Sequence, residues 1–316
     1  MSWPSMAASS RRSLRIDGWR EERNSSMTIE PSKKDPRVES IRPATGEAVS
    51  LGSGLLFRDL VSGACAAKGF STGTTTFEPG AVLPYHHHAF CEAITLLSGG
   101  AQVAVEGRSY RLEQFDCICV PTGVAHEVTN CSQESPMVAL SAFASAAPSQ
   151  ELVDQGFATQ NRGLANPKYE DPESLVRFAH AEVYELSAGA EFRDLFAGRL
   201  GAAGICGGYG RFQPAASLPC HFHQFDESIT IVEGHALCLV QGNRYRVTGY
   251  NTAFVPEGRP HRFLNESNSP MAMIWVYAGG EPERTLVDPA YCDGTFPRPP
   301  DPRAIAFQNS SSKRNR

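Results

Sequence analysis

The sequence predicts an all-β protein made of two tandem copies of one unit, and three observations carry that prediction. Between the chain ends, short apolar runs alternate with Gly, Pro and Asn, the rhythm of strands and turns. Four polar positions, His86, His88, Glu92 and His126, recur 135 residues later as His221, His223, Glu227 and His261. The surrounding sequence recurs at the same offset, with Phe57-Arg58-Asp59-Leu60 returning as Phe192-Arg193-Asp194-Leu195 and Tyr110-Arg111 as Tyr245-Arg246. Repetition that reaches past a motif marks duplication of structure. After the last histidines the register slips by one, so that Leu152-Val153-Asp154 faces Leu286-Val287-Asp288. A chain of 316 residues accommodates two such domains.

Taken in order, residues 1–36 are expected to be a disordered tail, with Arg11, Arg12, Arg15 and Arg20 set among serines and no apolar period. The first domain, 37–147, contains a hairpin signal in which Ala101–Val105 turns at Glu106-Gly107-Arg108 into Ser109–Leu112. The segment 148–182 breaks the β rhythm and is expected to be a linker. Within it Asp171 as a cap and Pro172 in the first turn predict a short helix through Phe178, bridging the domains. The second domain, 183–296, repeats the hairpin around Gln241-Gly242-Asn243. Residues 297–316, rich in Pro and then in Ser, Lys and Arg, are expected to be disordered.

Composition narrows the partners. A net charge of -5 gives no clustered excess of Lys and Arg for a phosphate backbone, so nucleic acid is not expected. No signal-peptide core and no membrane-length apolar run is present, so no membrane partner is expected and the cytoplasm is the expected location. The nine cysteines form no CxxC pair. Cys117 and Cys119 share a strand face and read as core packing, Cys220, beside His221, is a candidate for redox sensitivity that reads more readily as a small apolar filler, and so many unpaired thiols fit a reducing compartment. A small-molecule substrate is the expected partner, and self-association is left open.

The repeated quartet can hold a cation. In a His-x-His pair on a strand both rings point to one face, so His86 and His88 can share an ion while His87 points away. Phe222 stands in the position of His87 in the second copy. Glu92 and Glu227 follow four positions later and can add an anionic ligand. His126 and His261 must return from another strand, which requires a curled or closed sheet. Three imidazoles and a carboxylate without thiolate suit a divalent first-row ion, one per domain.

These residues carry a resemblance. Gly80, His86, His88, Glu92 and Gly99 match the first motif of the cupin superfamily, and Pro121, Gly123, His126 and Asn130 match the second. The second copy matches with His221, His223, Glu227 and Gly234, then Pro256, Gly258, His261 and Asn265. Ala215, Phe115 and Tyr250 replace opening glycines of these motifs. The chain thus resembles a two-domain cupin, over about residues 55 to 280. The resemblance implies a double-stranded β-helix, or jelly roll, in each domain. It also implies iron or manganese as the ion, with nickel, copper or zinc as alternatives. Four protein ligands leave two positions of an octahedral ion open for chemistry.

Substrate choice is expected where the copies diverge: Tyr85 against Cys220, Glu127 against Arg262, Ser141 and Phe143 against Trp275 and Tyr277. Phe90 and Phe225 lie between His and Glu in their respective copies. The first pocket is then the roomier, unless Trp275 and Tyr277 are ordinary core residues. The leading expectation is a dioxygenase acting on a small enolisable or phenolic compound, with Glu92 or Glu227 as proton acceptor. A non-redox lyase, isomerase or decarboxylase of a small organic or sugar acid is the alternative. Oxalate decarboxylases resemble this chain in having two quartets, but their extended Trp-bearing first motif is absent around His86 and His221. A cupin that binds a small molecule without turnover is the remaining alternative.

Overall fold

Each copy of the repeat folds into two facing sheets in the computed structural model, which describes residues 46–294. The tails expected at 1–36 and 297–316 lie outside the described residues. In the first half a seven-stranded sheet runs in the order Val49–Gly52, Leu55–Val61, Ser71–Phe77, Met137–Phe143, Glu92–Ser98, Cys117–Val120, Ser174–Val176. The facing sheet has Val82–His87 and His126–Asn130 side by side, followed by the predicted hairpin Ala101–Val105 and Arg108–Leu112. The second half repeats this plan, with His221–Phe222 beside His261–Leu264 and Glu227–Glu233 in the opposite sheet. Among the described residues no helix is long and apolar enough to cross a membrane.

Alternation along the strands builds the cores. On Glu92–Ser98, Ile94 and Leu96 point into the first barrel, while Ala93 and Leu97 point out and are just as buried. The outward face is covered by the other half: Ala93, Leu97, Leu140 and Ala142 share one cluster with Tyr209, Ala272, Ile274 and Val276. Strands buried on both faces lose hydrophobic alternation and read as continuous apolar runs, as Met271–Tyr277 does. Thr72 and Ser228 exchange a hydrogen bond of 3.1 Å across this seam.

The structure overturns the helical linker. Ser174–Val176 is a strand that pairs antiparallel with Cys117–Val120, and only the three-residue turn Phe178–His180 is helical there. Six residues are too few to nucleate a helix against a competing sheet edge. Side chains of the segment secure the edge pairing. Glu173 accepts two 2.8 Å hydrogen bonds from Arg108 and one of 2.7 Å from Tyr110, and Arg177 donates to Asp116 at 2.6 Å. Asp171 accepts from the Lys168 backbone at 2.7 Å, closing a turn, and caps no helix. The segment is a belt round the first barrel.

Two more readings change. Cys220 is not filler, because it forms a disulfide with Cys292 across a Cα separation of 6.0 Å. That pairing leaves seven free cysteines and weakens the argument from unpaired thiols. Cys117 and Cys119 are buried core residues, as expected. The replaced motif glycines keep the glycine conformation: Ala215 has φ 66°, Phe115 66° and Tyr250 58°. Each left-handed residue with a Cβ costs about 1–2 kcal/mol.

The motif asparagines knit these turns. Asn130 donates to the carbonyls of Phe77, Glu78 and Ser135 at 2.9–3.2 Å, and Asn265 does the same to Phe212, Gln213 and Ser269 at 2.8–3.2 Å. Gly123 and Gly258 donate backbone hydrogen bonds of 2.8 Å to His88 and His223, which ties the second motif to the first.

Candidate metal centres

The strand pairing brings the predicted ligands together. His86 lies opposite His126, and His221 opposite His261, on neighbouring strands. Glu92 and Glu227 reach across from the facing sheet. Ligand atoms of His86, His88, Glu92 and His126 all lie within 4.8 Å of one another. Donors about 2.1 Å from a shared ion lie about 3 Å apart when adjacent and about 4.2 Å when opposite, so this spacing fits one cation. His87, the expected bystander, faces outward, 3.8 Å from Glu151.

The second cluster is looser. His221, His223 and His261 lie within 4.8 Å of one another, but Glu227 is not within that spacing of all three. Its Oε2 is 2.7 Å from His261 Nε2 and 3.4 Å from His223 Nε2, where Glu92 Oε2 is 2.8 Å from His126 and 2.9 Å from His88.

Hydrogen bonds fix the state of every ring. The Nδ1 atoms of His86, His88 and His126 contact the carbonyls of Pro84, Ser149 and Val124 at 2.8, 2.6 and 3.2 Å. Those of His221, His223 and His261 contact Pro219, Glu283 and Arg259 at 2.8, 2.5 and 2.8 Å. A carbonyl only accepts, so each Nδ1 donates its proton and each Nε2 is turned to the centre, where His126 Nε2 hydrogen-bonds Glu92 Oε2 at 2.8 Å and a ring without a second proton presents a lone pair. Nε2 of His88, His223 and His261 and Oε2 of Glu227 are buried without a hydrogen-bond partner. Buried lone pairs aimed at one another repel, and a cation between them removes the repulsion. The residues therefore fit a metal ion.

Burial and mutual charge set the protonation. Burial, with the His126 ring behind it, lowers His86 to about 3. At His88 burial also acts downward, but Glu92 outweighs it and raises the ring. Burial holds His221 well below its ordinary value and lowers His223. Burial would raise both carboxyls, yet the surrounding imidazoles hold Glu92 and Glu227 below the usual carboxylate range.

Aromatic walls enclose both centres. Phe90 stacks on His88 at 5.2 Å and Phe225 on His223 at 5.3 Å. Phe143 stands edge-on to His88 at 5.3 Å, and its counterpart Tyr277 lies 4.4 Å from His223. Trp275 fills the second barrel beside Tyr277, where the first has Ser141. A Cβ on Gly208, which faces Trp275 on the neighbouring strand, would sit 2.6 Å from the indole. The glycine makes the space that the indole occupies. Ser149 and Glu283 escaped the sequence reading because they act through backbone carbonyls; their only signal was their matching place in the slipped register.

Residues 73–143 and 208–277 each match the Cupin domain family. This chain is a two-domain cupin. No curated protein matches it by sequence. Among solved structures, it is similar to the oxalate decarboxylase formate complex of Lactobacillus farciminis, with TM-score 0.63, 15% identity, 77% of this cupin and 87% of that chain covered. It is also similar to oxalate decarboxylase from Bacillus subtilis, with TM-score 0.60, 15% identity and coverage of 85% and 87%. AerE from Microcystis aeruginosa has TM-score 0.55, 14% identity and coverage of 73% and 95%. At such identities the likeness shows the fold of the two-domain cupin and no more.

Proposed function

We propose that this two-domain cupin is a metal-dependent, non-redox lyase, and specifically a decarboxylase of a small organic acid, working in its first barrel. One observation carries the reading. The groups that act most strongly on His86, His88 and Glu92 are one another and the fourth ligand, His126, with no acid or base from outside the quartet, inside a barrel walled by Phe90, Phe143 and aliphatic side chains. Carbon dioxide leaves without prior proton abstraction, so its loss needs no separate base, whereas isomerisation does, and the carbanion left behind takes its proton from water. The similar architecture of the oxalate decarboxylases supports the same class over the dioxygenase expected first.

The ion, when bound, supplies Lewis-acid stabilisation of negative charge on the substrate. We propose iron or manganese, with nickel, copper and zinc as other ions that imidazole and carboxylate accept. The chain supplies the rest. Six backbone carbonyls hold the rings in the ligating tautomer. Phe90 and Phe143 limit water around His88 and restrict the space to a small substrate. Glu92 and Glu227 are proposed as anionic ligands. A role in proton transfer would fall to Oε1, since the close imidazole contacts of both carboxylates use Oε2. The first barrel is proposed as the working one because its quartet is tighter and Ser141 leaves the space that Trp275 fills in the second.

The test supplies a panel of small carboxylic and keto acids to protein loaded with Mn2+ or Fe2+, and records carbon dioxide release with oxygen uptake. Carbon dioxide without net oxygen uptake, lost in His86→Ala and largely kept in His221→Ala, is the expected result. Oxygen uptake in step with product would instead establish the dioxygenase.

A further inference from the structure

In both halves, chain that follows the barrel folds back across the first ligand strand. Leu152 pairs with His86 and Leu286 pairs with His221. Each of these straps also brings the carbonyl that fixes a ligand, Ser149 for His88 and Glu283 for His223. The next residue of each strap donates to the residue before the first ligand: Val153 to the Tyr85 carbonyl at 2.8 Å, Val287 to the Cys220 carbonyl at 3.0 Å.

The anchoring of the two straps differs. The first is held where Phe157 meets Tyr85, ring to ring at 4.8 Å. The second is held covalently where Cys292 meets Cys220, and its end is tied further by Arg262 to Asp293 at 2.7 Å. Cys220 immediately precedes the ligand strand His221–Phe222 and packs with Leu237, Leu239 and Cys292, away from the cluster that His221 joins. The disulfide faces the strap, while the ring faces the centre.

We propose that the Cys220–Cys292 disulfide is a redox lock on the second metal centre, an inference that rests on the metal reading of that site. Oxidised, the bond holds the strap down and keeps the Glu283 carbonyl on His223. Reduction by a dithiol transfers two electrons and two protons to the pair. Two protein thiols form, the dithiol closes to its own disulfide, and the strap is left with its short strand, the Gly242 hydrogen bond to the Cys292 carbonyl, the packing of Val287 and Tyr291 and one ion pair, all non-covalent. Both sulfurs are buried, so exchange proceeds through fraying of the four-residue turn Ala290–Asp293. The His223 ring then loses its fixed tautomer. Removing a partner of this kind weakens metal binding about 10- to 100-fold. The first centre, with an aromatic anchor, does not respond.

Full-length His86→Ala and His221→Ala proteins isolate the second and first centres respectively. Each is titrated with Co2+ against a chelator, oxidised and after dithiothreitol treatment followed by anaerobic desalting. Cys292→Ser in the His86→Ala background reports the open state without reductant, and thermal melting checks its fold. The expected result is a 10- to 100-fold rise in the Co2+ dissociation constant of the second centre, on reduction and in Cys292→Ser alike, with under twofold change at the first. Equal affinity before and after reduction, or equal weakening of both centres, would overturn the lock. Failure of the oxidised second centre to bind Co2+ at all would overturn the metal reading beneath it.

Discussion

The two halves of the chain have the same sheets, the same quartet and the same three carbonyl-to-imidazole contacts, yet differ in what fills the space beside the quartet. The first has Ser141 opposite Gly73 and a carboxylate close to all three rings; the second has Trp275 opposite Gly208 and a carboxylate that is not. The comparison teaches that duplication preserved the ligands through backbone contacts, which tolerate drift in side chains. The cavity had no such protection and diverged.

Exchanging the distinguishing residues gives the largest expected effect. Trp275→Ser should cost about 3–5 kcal/mol, because it empties the buried space that the indole fills beside Gly208. The reverse change, Ser141→Trp, should cost about 1–3 kcal/mol by overpacking and should abolish turnover by filling the first barrel. Denaturant unfolding with activity checks both, and a tolerated Ser141→Trp that keeps turnover would place catalysis elsewhere.

Acid should separate the halves next. A ring whose folded pKa lies below its ordinary value of about 6.5 takes up a proton on unfolding, so its contribution to stability is complete above that pH and lost as pH falls. In the second half His221 and His223 are both lowered. In the first, His86 is lowered to about 3 but His88 is raised, which favours the folded state where the second half has an opposing term. Hydrogen exchange of the metal-free protein at about pH 7 and about pH 5 should show the strands around His221 and His261 losing more protection than those around His86 and His126. Equal loss would break the distinction.

The smallest effect concerns the motif turn. Ala215 holds φ 66° where Gly80 holds 69° in the first half. Ala215→Gly should stabilise the second half by about 1 kcal/mol, read as a rise in melting temperature, while Gly80→Ala should destabilise the first by a similar amount.

Much of this was legible in the residues. The spacing of His86, His88, Glu92 and His126, repeated in full, identified both clusters before any strand was placed, because a two-residue period and a closed sheet leave few other ways to use them. The His87 parity argument rests on the same period. The strand at 174–176 was not legible, since Asp171-Pro172 is a helix start only where no sheet edge competes for the backbone. The Cys220–Cys292 bond joins residues 72 apart and depends on where the strap returns, which local pattern does not encode. The functions of Ser149 and Glu283 are invisible in side-chain identity.

Each half is proposed to gather its side chains around one cation. Metal analysis of the purified full-length chain after loading with Mn2+ and removal of free ion tests it directly, beside His86→Ala and His221→Ala. The account predicts two bound ions per chain, falling to one in either variant. Binding that stays the same when His86 or His221 is removed would contradict it.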